Sequence, residues 1–183
     1  MPLFRKQTRA EALREMVERE MIRNWDTLVR FGSATYQLKR GHSFWVKMPG
    51  VDLSGANLSG LNLQYKDLDK GYQTDLSGAN LNGANCDEIN LNDCKLNAVT
   101  FVGASLRGAH LSGASLWNAD FSDAVLEGAT FNNVDIGRAK FLRTNLTDAR
   151  GFNRNDVDAE IRDVVGDRAF INEINRSTRW RNR

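Results

Sequence analysis

The chain has 183 residues, with 25 Lys and Arg against 23 Asp and Glu, for a net charge of +2. That balance gives no reason to expect a nucleic-acid or membrane-surface binder, two cysteines are too few for a secreted disulfide framework, and no stretch approaches the ~20 apolar residues that span a bilayer. Charge fills the N-terminus, MPLFRKQTRAEALREMVERE, where a signal peptide is apolar, so the expected setting is the cytoplasm.

Composition and pattern divide the chain into three: 1–50, a helix and connector; 51–149, a repeat region; and 150–183, a C-terminal cap and basic tail. In the first, Thr8 and Glu11 form a capping box. Leu13, Val17, Met21, Trp25 and Leu28 follow on one stripe, broadened by Met16, Ile22 and Val29, and Gly32 is the stop. The pattern predicts a helix over about 8–31, roughly 36 Å long at ~1.5 Å per residue. That exceeds the length of the repeat region, so part of the helix, with Met21 and Trp25, is free to reach a partner. Residues 33–50 are then a connector whose predicted strand is FWVKM, 44–48.

Fifteen glycines beside two prolines prompt a search for repeats. In fives, residues 51–70 read VDLSG ANLSG LNLQY KDLDK, and after Gly71, Tyr72 and Gln73, residues 74–148 read TDLSG ANLNG ANCDE INLND CKLNA VTFVG ASLRG AHLSG ASLWN ADFSD AVLEG ATFNN VDIGR AKFLR TNLTD. The third place is always apolar: Leu53, Leu58, Leu63, Leu68, Leu76, Leu81, Cys86, Leu91, Leu96, Phe101, Leu106, Leu111, Leu116, Phe121, Leu126, Phe131, Ile136, Phe141 and Leu146. The first place is mostly Ala, and the others are mostly polar or Gly. A period of five matches neither the helical 3.6 nor the strand 2.0. It suits a short extended segment plus a turn, whose first and third residues share a face because strand positions two apart do so. A small first residue leaves room for the large third one.

A second period of 20 residues runs through Leu81, Phe101, Phe121 and Phe141, and through Leu76, Leu96, Leu116 and Ile136. Four blocks per coil would stack each set in a column, although Phe131 falls in another. Residues 51–149 resemble the pentapeptide-repeat family, whose pattern is Ala, then Asp or Asn, then Leu or Phe, then two variable residues. The resemblance implies an all-β solenoid, a right-handed quadrilateral parallel β-helix of about five coils, here with an N-terminal α-helix and a short C-terminal helical cap. At ~4.8 Å between strands it would be about 24 Å long. Val46, Lys47 and Met48 keep the phase one block earlier and suggest a degenerate first repeat. The three-residue GYQ insertion is expected to protrude at a corner.

Beyond the repeats, Asn155 can cap a short helix carrying Val157, Ile161, Val164 and Val165, ended by Gly166, and a further turn carries Phe170, Ile171 and Ile174. These residues suit a lid on the last coil. Family members commonly dimerise through C-terminal helices, so Phe170 and Ile174 equally suit a homodimer interface. Residues 1–50 carry ten basic and five acidic side chains, residues 51–150 eight and twelve, and residues 151–183 seven and six, which makes +5, −4 and +1. The closing RSTRWRNR sets four Arg around Trp180, either a solvated tail or a contact for nucleic acid or an acidic protein.

Catalytic chemistry finds no foothold. His42 and His110 have no regular spacing to a Cys or a second His, so no metal site is expected. Cys86 and Cys94 occupy inward places and read as small core residues. No P-loop, dinucleotide fingerprint or GxSxG elbow occurs, and carboxylates such as Asp75, Asp87, Asp120 and Glu127 fall on polar places that face water. No enzyme activity, cofactor or small-molecule substrate is expected. What remains is surface: Trp117, Val102 and Leu142 occupy fourth, outward places and are candidate partner anchors, with Tyr72 beside the insertion a weaker one. Isolated exposed apolar residues are also ordinary. The first reading is a non-catalytic scaffold for an unidentified protein partner. The alternative follows from the family: some members imitate duplex DNA, bind type II topoisomerases such as gyrase, and protect or inhibit them. The repeat region's −4 agrees in sign with such a mimic.

Overall fold

The computed structural model describes residues 27–31, 34–38, 45–47, 49–64, 66–67, 72–152 and 159–166. Its centre is a right-handed β-solenoid in which each block contributes one bridge and one corner. Parallel bridges join residues 20 apart, such as Asn80 to Thr100, Thr100 to Asp120 and Asn85 to Ser105. Four such columns run along the coil, headed by Asp52, Asn57, Asn62 and Asp75.

The five-residue unit follows from where its amides go. In the block Phe101–Ser105 region, the Phe101 N–H donates to Asp120 O at 2.7 Å, the Gly103 N–H to Ser122 O at 2.9 Å, and the Ser105 N–H back to Ala84 O at 2.9 Å. The Ala104 N–H closes the corner on Phe101 O at 3.0 Å. Fifth-place residues take positive φ, 66° at Gly103, which is what the third residue of a type II turn requires. Non-glycine residues accept the same conformation at Asp123, Asn133 and Ala98, with φ of 60°, 55° and 55°.

One amide per block, at the fourth place, is left over by this ladder, and it explains the second-place Asn and Asp. The Ser54 N–H donates to Asp52 Oδ1 at 3.1 Å, that of Asn82 to Asn80 Oδ1 at 3.1 Å and that of Ser122 to Asp120 Oδ1 at 2.9 Å. Where the second place is Thr100, Ser105 or His110, the acceptor comes from the coil before: Val102, Arg107 and Ser112 donate to Asn82, Asp87 and Asn92 Oδ1 at 2.8–2.9 Å. The outward carboxylates of Asp75, Asp87 and Asp120 therefore hold backbone, rather than only facing water.

First- and third-place side chains fill the interior, with Leu58, Cys86, Leu106, Leu116 and Phe121 all fully buried. The phenylalanine column stands as its spacing suggests: Phe101, Phe121 and Phe141 stack at 5.0 Å between centroids, with planes 9° and 11° apart. Phe131, in its own column, meets Phe121 edge-on at 6.3 Å. The two inward cysteines form no disulfide, and burial pushes the Cys86 thiol up to about 12, with Asp87 adding to the rise. Since the thiolate is the reactive form, a thiol reagent at pH 8 is expected to leave Cys86 unmodified in the native protein and to label it on unfolding in urea, as mass spectrometry would show.

Three expectations need correction. Residues 27–31 are not the end of a helix. Thr27–Phe31 (β1) pairs antiparallel with Ala34–Leu38 (β2), which pairs antiparallel with Trp45–Lys47 (β3). Leu28 and Val29 thus belong to a strand, and Thr, Val and Phe favour one. β3 confirms a strand in the connector. Val46 pairs with Tyr36 in this sheet, but the following corner does keep the repeat phase: Gly50 has φ 68°, and its N–H donates to Ser77 O at 2.8 Å. Met21 and Trp25 lie outside the described residues.

Second, the insertion is longer than GYQ. Asp52, Asn57 and Asn62 each pair 28 residues on, with Asn80, Asn85 and Asn90, whereas every later bridge spans 20. The difference is eight residues, the combined length of KDLDK and GYQ. Lys66–Asp67 (β4) and Tyr72–Gln73 (β5) pair antiparallel within this insertion, and β3 lies against β5. Leu68 lies outside the described residues. Thr74 repairs the seam. Leu63 O, whose corner donor is displaced, accepts from the buried Thr74 Oγ1 at 2.7 Å and from Cys94 Sγ at 3.4 Å.

Third, residues 159–166 form no helix but open a sixth coil. Lys140–Leu142 (β6) pairs in parallel with Glu160–Arg162 (β7), and Asn145 bridges Val165. AEIRD, 159–163, is itself a five-residue block, and the open parallel edge of the fifth coil offers it bonds that a helix would forgo. The block phase separates residues that a helix would have put on one face: Ile161 is buried, Val164 packs on the core, and Val165 is exposed. Phe170, Ile174 and Trp180 lie outside the described residues.

Candidate functional site

Of the outward candidates, the structure separates Trp117 from the rest. Its side chain sits at a corner of the fourth column, 43% exposed. Val102 and Leu142 share the first column and are only half-buried neighbours of the buried Ser122. Tyr72 contributes backbone to the insertion's antiparallel pair. Among the candidates with described side chains, Trp117 therefore stands on a different column from Val102 and Leu142.

What surrounds Trp117 was not singled out by sequence reasoning. One coil on, Gly137 lies under the indole, and a Cβ there would stand 2.9 Å from Trp117 Cδ1 and 3.4 Å from Nε1. Arg138 places its guanidinium carbon 5.3 Å from the ring centroid, within cation–π range. The block phase could have found this group, because Trp117 and Gly137 occupy the same place 20 residues apart.

The charges on neighbouring corners are paired from coil to coil. Arg143 Nε and Nη2 donate to Asp123 Oδ1 and Oδ2 at 2.7 and 2.6 Å. Arg107 meets Glu127 at 2.6 Å, and Lys140 meets Asp120 at 3.8 Å. The hydrogen bonds from Arg143 hold the Asp123 carboxyl below its ordinary range, and Asp123 in turn raises Arg143. A carboxylate whose folded pKa is depressed stabilises the fold above its unfolded pKa, and that contribution disappears as pH falls through the depressed value. The difference in urea midpoint between wild type and Asp123→Asn is therefore expected to be small at pH 7, since both groups are exposed, and to vanish below the ordinary Asp range.

Among the described residues no group of three or more His, Cys, Asp or Glu could hold a metal ion, and no helix is long and apolar enough to cross a membrane. His110 is an exposed second-place residue that bridges Asn90 and Thr130 through backbone only.

Comparison with known proteins agrees with the coil. Residues 72–141 match a family model described as pentapeptide repeat region. Nothing among curated proteins matches the chain. Among solved structures, the pentapeptide repeat protein Rfr23 from the cyanobacterium Cyanothece 51142 is similar at 24% identity and a TM-score of 0.53, over 73% of this chain and 90% of that one. A pentapeptide repeat protein from the Arabidopsis thaliana thylakoid lumen reaches 27% identity and 0.49, over 62% and 70%. QnrB1, a plasmid-mediated fluoroquinolone resistance protein, reaches 15% and 0.27, over 67% and 81%. The first likeness bears on fold alone, and the other two superpose too loosely to bear on function. The five-residue period, the 20-residue register and the family model matched over residues 72–141 together identify a pentapeptide-repeat region in this chain.

Proposed function

We propose that the chain is a non-catalytic pentapeptide-repeat scaffold that works in the cytoplasm by binding another protein. The observation that supports this reading is how the coil employs its side chains. First and third places fill the interior, second- and fourth-place Asn and Asp cap backbone amides, and corner charges pair between coils. Trp117 does none of these and stands outward on a rigid wall, the setting in which binding anchors occur. Neither Cys86 nor Cys94 is in a disulfide, which is compatible with a reducing compartment. Immobilised full-length protein, exposed to an extract of its native cells, is expected to retain a stoichiometric protein partner. Light scattering adds the case in which that partner is a second copy held through residues 150–183. A monomer that retains nothing would overturn the reading.

A second reading is the DNA mimic that binds a type II topoisomerase, favoured by the −4 over residues 51–150. Three of those carboxylates, Asp120, Asp123 and Glu127, are neutralised by Lys140, Arg143 and Arg107, which weakens the likeness to a duplex carrying one charge per ~1.7 Å. A gyrase supercoiling assay titrated with the protein decides it, and no effect at micromolar excess removes it.

A further inference from the structure

We propose that the corner of Trp117, Gly137 and Arg138 docks a peptide segment bearing a carboxylate beside an apolar or aromatic side chain. This deepens the scaffold reading and rests on it. The local sequence points to the corner because it breaks the rule of the repeat there. Where a block has a glycine in its turn, that glycine stands at the fifth place, as at Gly103, Gly108 and Gly128, where φ is positive. The block VDIGR, 134–138, alone among the nineteen reverses the order, so that glycine sits at the fourth place and Arg138 takes the left-handed conformation with φ 58°. Positive φ at a non-glycine fifth place is ordinary in this coil, as at Ala98 and Asp123, so what sets this block apart is the glycine at its fourth place.

The reversal has a geometric effect. Without a Cβ at 137 the indole of Trp117 lies down on the next coil, since a Cβ would be 2.9 Å from its Cδ1. The Arg138 side chain, launched from the adjacent residue, reaches the ring at 5.3 Å. The indole is thus held before any partner arrives yet stays 43% exposed, so less side-chain freedom is lost on binding. Trp and Arg are also the residue types that dominate binding hot spots.

The charge pattern selects the partner. Arg107, Lys140 and Arg143 each have a carboxylate partner. Among the described residues none pairs with Arg138, and Asp135 in its own block already accepts the Gly137 N–H at 3.1 Å. The guanidinium therefore keeps its donors for an incoming carboxylate, beside a ring that takes an apolar side chain. A nucleic acid could use the same pair by stacking and phosphate contact, but a polyanion meets the −4 of residues 51–150, whereas a single carboxylate senses chiefly what lies within a Debye length of about 8–10 Å.

The test is selection from a display library of random linear peptides on the full-length protein, with Trp117→Ala and the exposed Arg138→Glu as comparators, each checked for the wild-type circular dichroism spectrum. Peptides enriched on wild type are expected to place Asp or Glu within a residue or two of Phe, Tyr, Trp or Leu. Trp117→Ala should bind them at least about tenfold more weakly, and Arg138→Glu should turn the preference towards Lys and Arg. Enrichment indifferent to Arg138→Glu, absence of enrichment, or Arg138-dependent binding of a fluorescent oligodeoxythymidine overturns the proposal. A native partner retained equally by wild type and Trp117→Ala also overturns it, while leaving the scaffold reading intact.

Discussion

Phe121→Ala is expected to lower the unfolding free energy by roughly 3–5 kcal/mol, the range for emptying a buried aromatic site. Phe121 has no exposed surface and stacks on both Phe101 and Phe141 at 5.0 Å, with the edge of Phe131 at 6.3 Å. Removing it strips partners from three rings at once, and each aromatic pair is worth about 0.5–1.5 kcal/mol beyond its area. The backbone on either side is fixed by ladder bonds, the Phe121 N–H to Lys140 O at 2.8 Å and the Asp120 N–H to Val99 O at 2.9 Å, so the cavity cannot readily collapse. Phe121→Leu should cost less, about 1.5 kcal/mol or below, because Leu53 and Leu81 already occupy this column. Urea denaturation followed by circular dichroism separates the two. Equal, small losses would mean that the column is not packed as described.

Gly151→Ala is expected to cost roughly 2–4 kcal/mol, combining backbone strain with overpacking. Gly151 stands where the third place of a block should carry a large side chain, and its φ is 84°. A Cβ there would lie 2.7 Å from the backbone nitrogen of Asn132, so a neighbouring coil would have to move. The residue after it supplies what the column lacks: Phe152 brings its ring within 4.4 Å of Phe131 and 5.7 Å of Phe141. Alanine at 151 should therefore displace Phe152 from the end of the core as well. Gly103→Ala is the control. Its φ is 66°, nothing lies within 4 Å of the added Cβ, and the loss should stay near the ~1–2 kcal/mol of a left-handed non-glycine residue. Thermal or urea unfolding that ranks the two alike would refute the contact with Asn132.

These two sites also show how far the sequence could be read. The interior was legible because a third place that is apolar in every block, with a small first place, leaves little freedom in what faces inward. Phe101, Phe121 and Phe141 even disclosed the number of blocks per coil. The ends were less legible because two patterns fitted the same residues. Leu28 and Val29 continue a helical stripe from Leu13, yet Gly32-Ser33 between two β-rich runs is also a hairpin signal, and long-range pairing with Ala34–Leu38 decided between them. Ile161 and Val164 have helical spacing but also stand at the third and first places of continuing blocks, and the free edge of the fifth coil selected the latter. The full length of the insertion was hidden because KDLDK fits the repeat perfectly well. Only the pairing of Asp52 with Asn80 reveals it.

The candidate site was half legible. An outward Trp117 follows from its place in the block, but its cradle depends on reading 20 residues ahead to Gly137 and Arg138. The use of Asn82, Asp87 and Asn92 as caps for the next coil likewise joins residues that no local pattern connects. Both relations become visible once sequence is written four blocks to a row.

Amide hydrogen exchange on the full-length protein, resolved by residue with NMR, tests the coil itself most directly. A wall of parallel bridges closed by corners predicts strong protection from residue 79 to 149 at first, second, third and fifth places, repeating every five residues and persisting through all four columns. Rapid exchange across this stretch, or protection rising and falling with a helical period, would contradict the solenoid and with it the rigid surface on which Trp117 is displayed.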